Sequence, residues 1–241
     1  MLHHSRAIPL RNIKYGETSI VSTIYTELFG IQSYLIPGVR TDKKSTVKAN
    51  LYATGNLLDL VVYHHPHKKL QRIKEVKINR PFHAIHYDMV KNAIMIFICE
   101  LVYRTIDEPE SYAEQFDFVF DTLVDIDERQ TKQLAYAPIN FLIEWCQFLG
   151  FGITDNEYKT GFVLDLQDGQ FKDPMHLLHP FIVTVEQSYL LKLLLEKKDV
   201  SYASHSLRVD LLNTLLQYLY LHLPSMTVLK SPLVLHTVLD A

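Results

Sequence analysis

Cysteine is scarce in this chain of 241 residues, which contains only Cys99 and Cys146. So few cysteines exclude the disulfide framework that holds small secreted domains together. Both lie among apolar residues, Cys99 at the end of the segment IFIC and Cys146 directly after Trp145. We therefore predict two buried thiols in a reducing compartment, where they behave as small hydrophobic side chains.

Long hydrophobic runs are also missing. The most apolar stretch, residues 93–102, is about half as long as a membrane-spanning helix and includes Glu100. Arg6, Arg11 and Lys14 interrupt the N-terminus before any apolar stretch reaches the length of a signal-peptide core. These features predict a cytoplasmic protein without a membrane partner, in which residues 93–102 belong to a core helix.

The common catalytic signatures are absent. The sequence has no Walker loop, no nucleophile elbow and no dinucleotide-binding fingerprint, and no repeat or low-complexity segment. Its composition, 48% hydrophobic and 21% charged, is that of an ordinary globular protein. We predict two modest domains, no enzymatic activity and no cofactor.

Residues 1–80 show the period-two alternation of β-strands. Strands are predicted at residues 5–15, 19–26, 31–37, 57–63 and 70–78, with Gly16, Gly30 and Gly38 where extended runs end. Asp42 is expected to cap a short helix between the third and fourth strands. The fifth strand is ambiguous, because Leu70, Ile73 and Val76 are spaced by three and also fit a helix or a bulged strand. This order of elements is that of an OB-fold barrel.

From residue 81 onward the apolar period becomes helical. Helices are predicted at about residues 87–105, 111–126, 132–149, 183–197 and 206–222, a β-hairpin within residues 151–175, and a short apolar tail after Pro224. Pro138 either kinks the third helix or begins it. The predicted fold class is α+β, with an N-terminal OB-fold β-barrel (residues 1–80) followed by an α-helical domain (residues 81–241) that contains a small inserted hairpin.

Charge is divided unevenly along the chain. Residues 1–80 contain 13 Lys and Arg against 5 Asp and Glu, a net charge of +8, whereas residues 81–241 contain 11 against 22, a net charge of −11. The overall net charge of −3 conceals this difference. The asymmetry indicates a basic binding module joined to an acidic body.

Several segments resemble the RecO family of recombination mediator proteins. They follow one another along nearly the whole chain: residues 13–19 (IKYGETS), 30–34 (GIQSY), 37–40 (PGVR) and 57–60 (LLDL), then Leu216, Tyr218, residues 221–223 (LHL) and 229–231 (LKS). Each segment is short, and the order and spacing of the segments together carry the resemblance.

The resemblance implies a protein without covalent chemistry that binds single- and double-stranded DNA and anneals complementary strands. It also implies three partners: RecR, the acidic tail of the single-stranded DNA-binding protein SSB, and indirectly RecA, which replaces SSB on exposed strands. Many members hold zinc with four cysteines in the segment that corresponds to residues 151–175. This chain has no cysteine there, and structural zinc needs four ligands, so we expect a hairpin without metal.

The candidate DNA-binding residues are basic, because phosphate neutralisation needs several cations fixed along one groove. They are Arg11, Lys14, Arg40, Lys43, Lys44 and Lys48 in one group, and Lys68, Lys69 and Arg72 in another, which continues as Lys74, Lys77 and Arg80. This second run would also protect an edge strand from aggregation. Tyr34 is a candidate for stacking on unpaired bases, as are Tyr15, Tyr25, Phe29 and Tyr52; the alternative place for each ring is the barrel core.

A site for the acidic SSB tail needs local cations, since the helical domain is acidic. Arg129, Lys132 and Arg208 are the candidates for this partner site.

Two other functions fit the same residues. A protein-interaction adaptor would use the basic barrel to bind an acidic partner instead of DNA. A nuclease would hold magnesium with Asp117, Asp121 and Asp125, which are spaced by four on one predicted helix, although such a row is also typical of a solvated face. The histidines at positions 64, 65, 67, 83, 86, 176 and 179 are interpreted as turn residues and not as metal ligands, because no cysteine or carboxylate accompanies them at a useful spacing.

Overall fold

The N-terminal part of the chain forms a closed five-stranded barrel. A computed structural model describes residues 2–39, 49–106, 112–154 and 158–239. The strands are β1 (Leu2–Tyr15), β2 (Ser19–Thr26), β3 (Gly30–Ile36), β4 (Leu57–Tyr63) and β5 (Gln71–Arg80). Their order around the barrel is β1-β2-β3-β5-β4, which confirms the predicted OB-fold and its ambiguous fifth strand.

Strand β1 is long because it pairs with two neighbouring strands, β4 and β2. Its first half pairs with β4, from Leu2 opposite Tyr63 to Ala7 opposite Leu58. Its second half pairs with β2, and the register shifts between Pro9 and Arg11, so a bulge bends the strand between its two partners. The barrel closes between β3 and β5, which form only two parallel residue pairs. We call this short strand contact the seam.

The barrel is filled by one apolar cluster. Its members come from every strand and from the segment between β3 and β4, and include Ala7, Ile24, Tyr34, Ile36, Val39, Tyr52, Leu58, Leu60 and Val62, with Ile73, Val76 and Ile78 of β5 packed against them. The predicted helix from Lys43 lies mostly outside the described residues, although residues 49–51 are helical. Since inner side chains alternate with outer ones, the core fixes which strand residues face solvent.

Helices follow the barrel. They are α1 (Met89–Thr105), α2 (Ala113–Glu128), α3 (Ala137–Phe148), α4 (Val185–Leu195), α5 (His205–His222) and α6 (Ser231–Leu239), with 3-10 turns at Thr131–Leu134 and Pro174–His176. Asp88 caps α1, accepting hydrogen bonds from the amides of Val90 and Lys91. Pro138 lies in the first turn of α3, so this helix begins there and is not kinked. Within the described part of the chain, each helix is too short or too polar to span a membrane.

The C-terminal tail requires a correction. The sequence predicts a short apolar tail after Pro224, but residues 231–239 of this segment form α6, which packs against α1 with Leu235 fully buried. The Glu100 carboxylate of α1 accepts hydrogen bonds from the backbone amides of Lys230 (3.0 Å) and Ser231 (2.7 Å). Those amides have no partner within α6, so a distant residue supplies the helix cap.

The predicted hairpin is present as β6 (Val163–Asp165) and β7 (Gln170–Lys172). The chain forms two compact units. The first contains the residues up to 134 and those from 229 onward, and the second contains residues 135–228. The barrel, α1, α2 and α6 therefore share the first unit. The functional division at residue 81 stays a prediction.

Candidate nucleic-acid interface

An outward-facing row of side chains crosses all five barrel strands. Register places Ile13 opposite Val21, Val21 opposite Leu35, Leu35 beside Arg72, and Arg72 opposite Tyr63. The neighbouring row contains Ser22, Tyr34 and Gln71, which are buried, so the first row faces outward. Ile13 is 48% exposed and Tyr63 is 41% exposed. This outer row thus presents apolar and aromatic surface around one arginine.

Arg11 lies on the same outer face, two residues from Ile13. Its row continues through Thr23 and Ser33 on β2 and β3. Tyr103 of α1 positions the side chain: the Arg11 Nη1 donates to the Tyr103 hydroxyl at 3.0 Å, and the guanidinium carbon is 5.5 Å from the ring centroid. A predicted DNA-binding cation is thereby held in place by the first helix.

A cleft lies at the seam between β3 and β5. We call it the seam cleft. It has a volume of about 700 Å³ and is lined by Leu35, Tyr63, His65, Lys68, Leu70, Gln71 and Arg72. The structure thus brings Lys68 and Arg72 together, as the sequence predicted for one basic group. Lys69 is exposed on the same loop but does not line the cleft.

Gln71 shapes the loop that carries Lys68. Its buried amide nitrogen donates to the carbonyl oxygens of His65 (2.8 Å) and Lys68 (2.7 Å), and its amide oxygen accepts from the His65 N–H at 3.0 Å. One side chain therefore satisfies three backbone groups of a turn that contains Pro66. This bracing reduces the conformational freedom that the loop loses when it binds a ligand.

The second basic run divides into paired and unpaired cations. Lys74 pairs with Glu75, Lys77 pairs with Asp59 at 3.3 Å, and Arg80 pairs with Glu128. Among the residues that the structure describes, Lys68, Lys69 and Arg72 have no carboxylate partner. They are therefore the members of the run that can contact a phosphate without first losing an ion pair.

Two predicted residues do not join this face. Lys14 is opposite Ile20, and Ile20 is opposite Ile36, so Lys14 belongs to an inward-facing row at the end of the barrel. The Tyr34 ring is fully buried. A fully buried ring offers no face to a base, so we remove Tyr34 from the candidate contacts. Burial also raises the pKa of its hydroxyl.

Other aromatic side chains are better candidates than Tyr34 for stacking on unpaired bases. Tyr25 and Tyr52 are in the core as well, whereas Tyr15 is 54% exposed at the end of β1. Sequence reasoning missed Tyr63. The sequence contained one signal for this residue. Tyr63 is the last residue of a strand before a hairpin loop, and such a residue pairs with the start of the next strand, where Arg72 lies.

Arg40, Lys43, Lys44 and Lys48 lie outside the described residues. The chain enters this segment at Val39, whose amide donates to the Thr18 carbonyl at 2.9 Å, and leaves it at the helical residues 49–51. Thr18 is in the turn between β1 and β2. The role of these four cations stays a prediction.

The candidate partner-site cations are divided between the two compact units of the chain. Arg129 pairs with Asp125 at 2.7 Å on α2, and Lys132 is exposed in the following 3-10 turn. Arg208 belongs to the other compact unit, where its Nη1 donates to the Ala203 carbonyl at 2.8 Å and its guanidinium lies over Tyr136. Arg208 therefore already has an intramolecular role beside the start of α5.

Two of the three aspartates in the row on α2 form ion pairs. Asp117 pairs with Arg6 at 2.6 Å and Asp125 pairs with Arg129, which leaves Asp121 exposed. His64 stacks on Phe29 with ring centroids 3.9 Å apart, and burial, together with His3 and His65, lowers its pKa. Within the described residues, no group of three or more His, Cys, Asp or Glu side chains could hold a metal ion.

Comparison with known proteins covers almost the full chain. Residues 1–82 match the family model for the N-terminal part of recombination protein O, and residues 86–231 match the model for its C-terminal part. The DNA repair protein RecO of Bacteroides fragilis is 30% identical over 246 residues, covering 100% of both chains. That of Flavobacterium psychrophilum is 31% identical over 225 residues, covering 91% of each.

These matches agree with the barrel order and the helices that follow it. A third relative, the DNA repair protein RecO of Porphyromonas gingivalis, is 29% identical over 248 residues and covers 100% of both chains. Two matching models, one for each part of the chain, leave only short segments unmatched. The chain belongs to the RecO family of DNA repair and recombination proteins.

Proposed function

We propose that this protein acts in the cytoplasm, at the nucleoid, as a recombination mediator that binds single- and double-stranded DNA and anneals complementary strands. The observation that carries the proposal is the outer face of the barrel, where Lys68 and Arg72 are unpaired beside the exposed Tyr63. Cations that track a backbone, together with aromatic surface for bases, are the two components of single-strand binding on OB-folds.

Annealing follows from the same surface. Two complementary strands repel each other through their phosphates, and a basic face lowers that repulsion by neutralising part of the charge. Stacking on Tyr63 discriminates little among bases, because every base has a π face. The protein would therefore hold strands of any sequence, and the reaction needs no catalytic residue.

The proposal is tested with a fluorescent oligothymidylate of about 20 nucleotides, longer than the site of one OB-fold. We expect the variant Lys68→Gln/Arg72→Gln to bind about tenfold more weakly, and the slope of log K against log salt to fall by about 1.4, since each phosphate contact on a single strand contributes about 0.7.

The matched control is Lys74→Gln/Lys77→Gln, which removes the same charge from β5 but from cations that already have carboxylate partners. It should bind nearly as the wild type does. A wild-type affinity that is insensitive to salt would refute the proposal. An acidic protein ligand that binds where DNA does not would favour the adaptor hypothesis instead.

The partners belong to this proposal as well. With RecR, the protein would help load RecA on DNA coated with SSB, and it would bind the SSB tail through cations of the helical region. Arg129 and Lys132 support that assignment by their exposure. Titration with an SSB tail peptide tests it: Lys132→Gln should weaken peptide binding and leave oligonucleotide binding unchanged.

A further inference from the structure

A second cleft adjoins Arg11 and shares no lining residue with the seam cleft. It has a volume of about 600 Å³ and lies between β1, α1 and the start of α6. Three basic side chains line it: Arg11 from the barrel, Arg104 from α1 and Lys230 next to α6. We call it the helix cleft. Its basic residues come from segments far apart in the sequence, which is why no charge run revealed it.

The positive charges of the helix cleft outnumber its one carboxylate, Glu100. Among the described residues, none of these three cations forms an ion pair. Glu100 attracts Arg104, but its oxygens already accept the amides of Lys230 and Ser231. The Arg104 Nε is shielded from solvent and has no hydrogen-bond partner within the described part of the chain.

Tyr103 brings the two arginines to the same ring. The Arg11 guanidinium carbon is 5.5 Å from its centroid and the Arg104 carbon is 5.4 Å from it. Two like charges held at one aromatic ring repel each other, and the ring itself cannot neutralise them. A bound anion would relieve that repulsion, because guanidinium groups form strong paired hydrogen bonds with phosphate oxygens.

We propose that the helix cleft binds the phosphate backbone of the same DNA strand that occupies the outer face of the barrel, so that the strand continues from the barrel onto α1 and α6. This inference rests on the proposed function. From Arg11 to Arg72 the sheet crosses three strand spacings, roughly 15 Å. At about 3.4 Å per nucleotide, a segment of four to five nucleotides spans that distance.

Nucleic acid suits the cleft better than an acidic peptide does, because the cleft is continuous with the barrel face through Arg11. Thr23 and Ser33 lie in the Arg11 row, between the two clefts, and can donate hydroxyl hydrogen bonds to a backbone. A peptide ligand would use the helix cleft alone and would be indifferent to Lys68 and Arg72.

The test compares salt dependence of oligothymidylate binding in the intact chain. For Arg104→Gln/Lys230→Gln we expect the slope of log K against log salt to fall by about 1.4. The charge-matched control, Lys197→Gln/Lys198→Gln, removes two exposed cations to which no binding role is assigned and should keep the wild-type slope. A conservative variant, Arg104→Lys/Lys230→Arg, should also keep most of it, which separates lost charge from lost structure.

The outcomes distinguish this inference from the proposed function. If the wild type binds DNA in a salt-dependent manner but the helix-cleft variant matches its control, the inference fails and the proposed function stands. If the wild type shows no salt-dependent binding, the proposed function fails and the inference fails with it. If the variant loses a hexa-aspartate peptide but not the oligonucleotide, the cleft is a peptide site and the inference is overturned.

Discussion

At the scale of single residues, the shape of the seam cleft depends on Gln71 as much as on its cations. Three backbone groups of the loop are satisfied by this one buried amide. Leucine has nearly the same size but cannot form these bonds. The His65 amide and the Lys68 carbonyl would lose their side-chain partner, whereas the His65 carbonyl would keep the bond from the Lys68 amide at 3.0 Å. Each lost hydrogen bond costs about 1 kcal/mol.

We therefore predict that Gln71→Leu weakens oligonucleotide binding several-fold although it removes no charge. The salt slope should stay near the wild-type value, because Lys68 and Arg72 are still present and only their positions become less fixed. Anisotropy titrations at several salt concentrations measure both quantities. A variant that binds as tightly as the wild type would show that loop bracing has no part in the affinity.

The sequence shows the charge of a residue but does not show which face of a strand its side chain occupies. Lys68 and Arg72 could be grouped from the sequence because charge is visible there, and they line one cleft, while their contact with DNA stays a prediction. Tyr34 was misplaced because alternation alone does not say which of the two strand faces is the core, and the neighbours Ser33 and Leu35 give no decisive signal. Lys14 was grouped with Arg11 by sequence proximity, whereas β1 turns them to opposite faces.

At the scale of elements, α6 is held to α1 by a carboxylate outside the helix. Burial acts to raise the pKa of Glu100, but hydrogen bonds from Ser231 and Lys230 outweigh it and lower the pKa. A carboxyl group with a lowered pKa stabilises the folded state at pH values above its ordinary value near 4.5, and that contribution is lost as the pH falls through the folded-state pKa.

We predict that Glu100→Ala releases the start of α6 and destabilises its docking by about 2 kcal/mol, the scale of hydrogen bonds to a charged group. Amide hydrogen exchange at Ser231 and the following residues should accelerate. Glu114→Ala, at an exposed acid in the first turn of α2, is the control and should leave this exchange unchanged. Unaltered protection in Glu100→Ala would contradict the capping role.

This element escaped prediction for a physical reason. Residues 231–239 include two β-branched valines and are rich in leucine, and the first turn has no acidic residue, so the sequence pattern is that of an apolar tail. The cap is supplied across more than a hundred residues by Glu100. The strands, in contrast, were predicted closely, because turn glycines and alternation are local signals and β2 and β4 have the predicted bounds.

At the scale of the whole molecule, the single tryptophan reports on one compact unit. Trp145 is fully buried in the unit of residues 135–228, stacked on Phe141 with centroids 5.6 Å apart. The same unit contains its own aromatic and leucine core, including Tyr218 and Leu211. A chain segment with its own core is expected to fold by itself.

We predict that a fragment of residues 135–228 unfolds cooperatively, with a fluorescence transition at Trp145 and loss of helical circular dichroism at the same temperature. A fragment of residues 81–241 should aggregate more readily, because it exposes the faces of α1 and α2 that cover the barrel, including Phe116 beside Tyr25. Non-cooperative melting of the shorter fragment would refute this division.

The docking of α6 also bears on synthesis of the chain by the ribosome. Glu100 is translated 130 residues before Lys230. At about 5–20 residues per second, several seconds or more separate the two. During that interval the nascent barrel already carries Arg11, but the helix cleft lacks its third wall. The full basic surface therefore forms only late in translation, when the barrel has had time to fold.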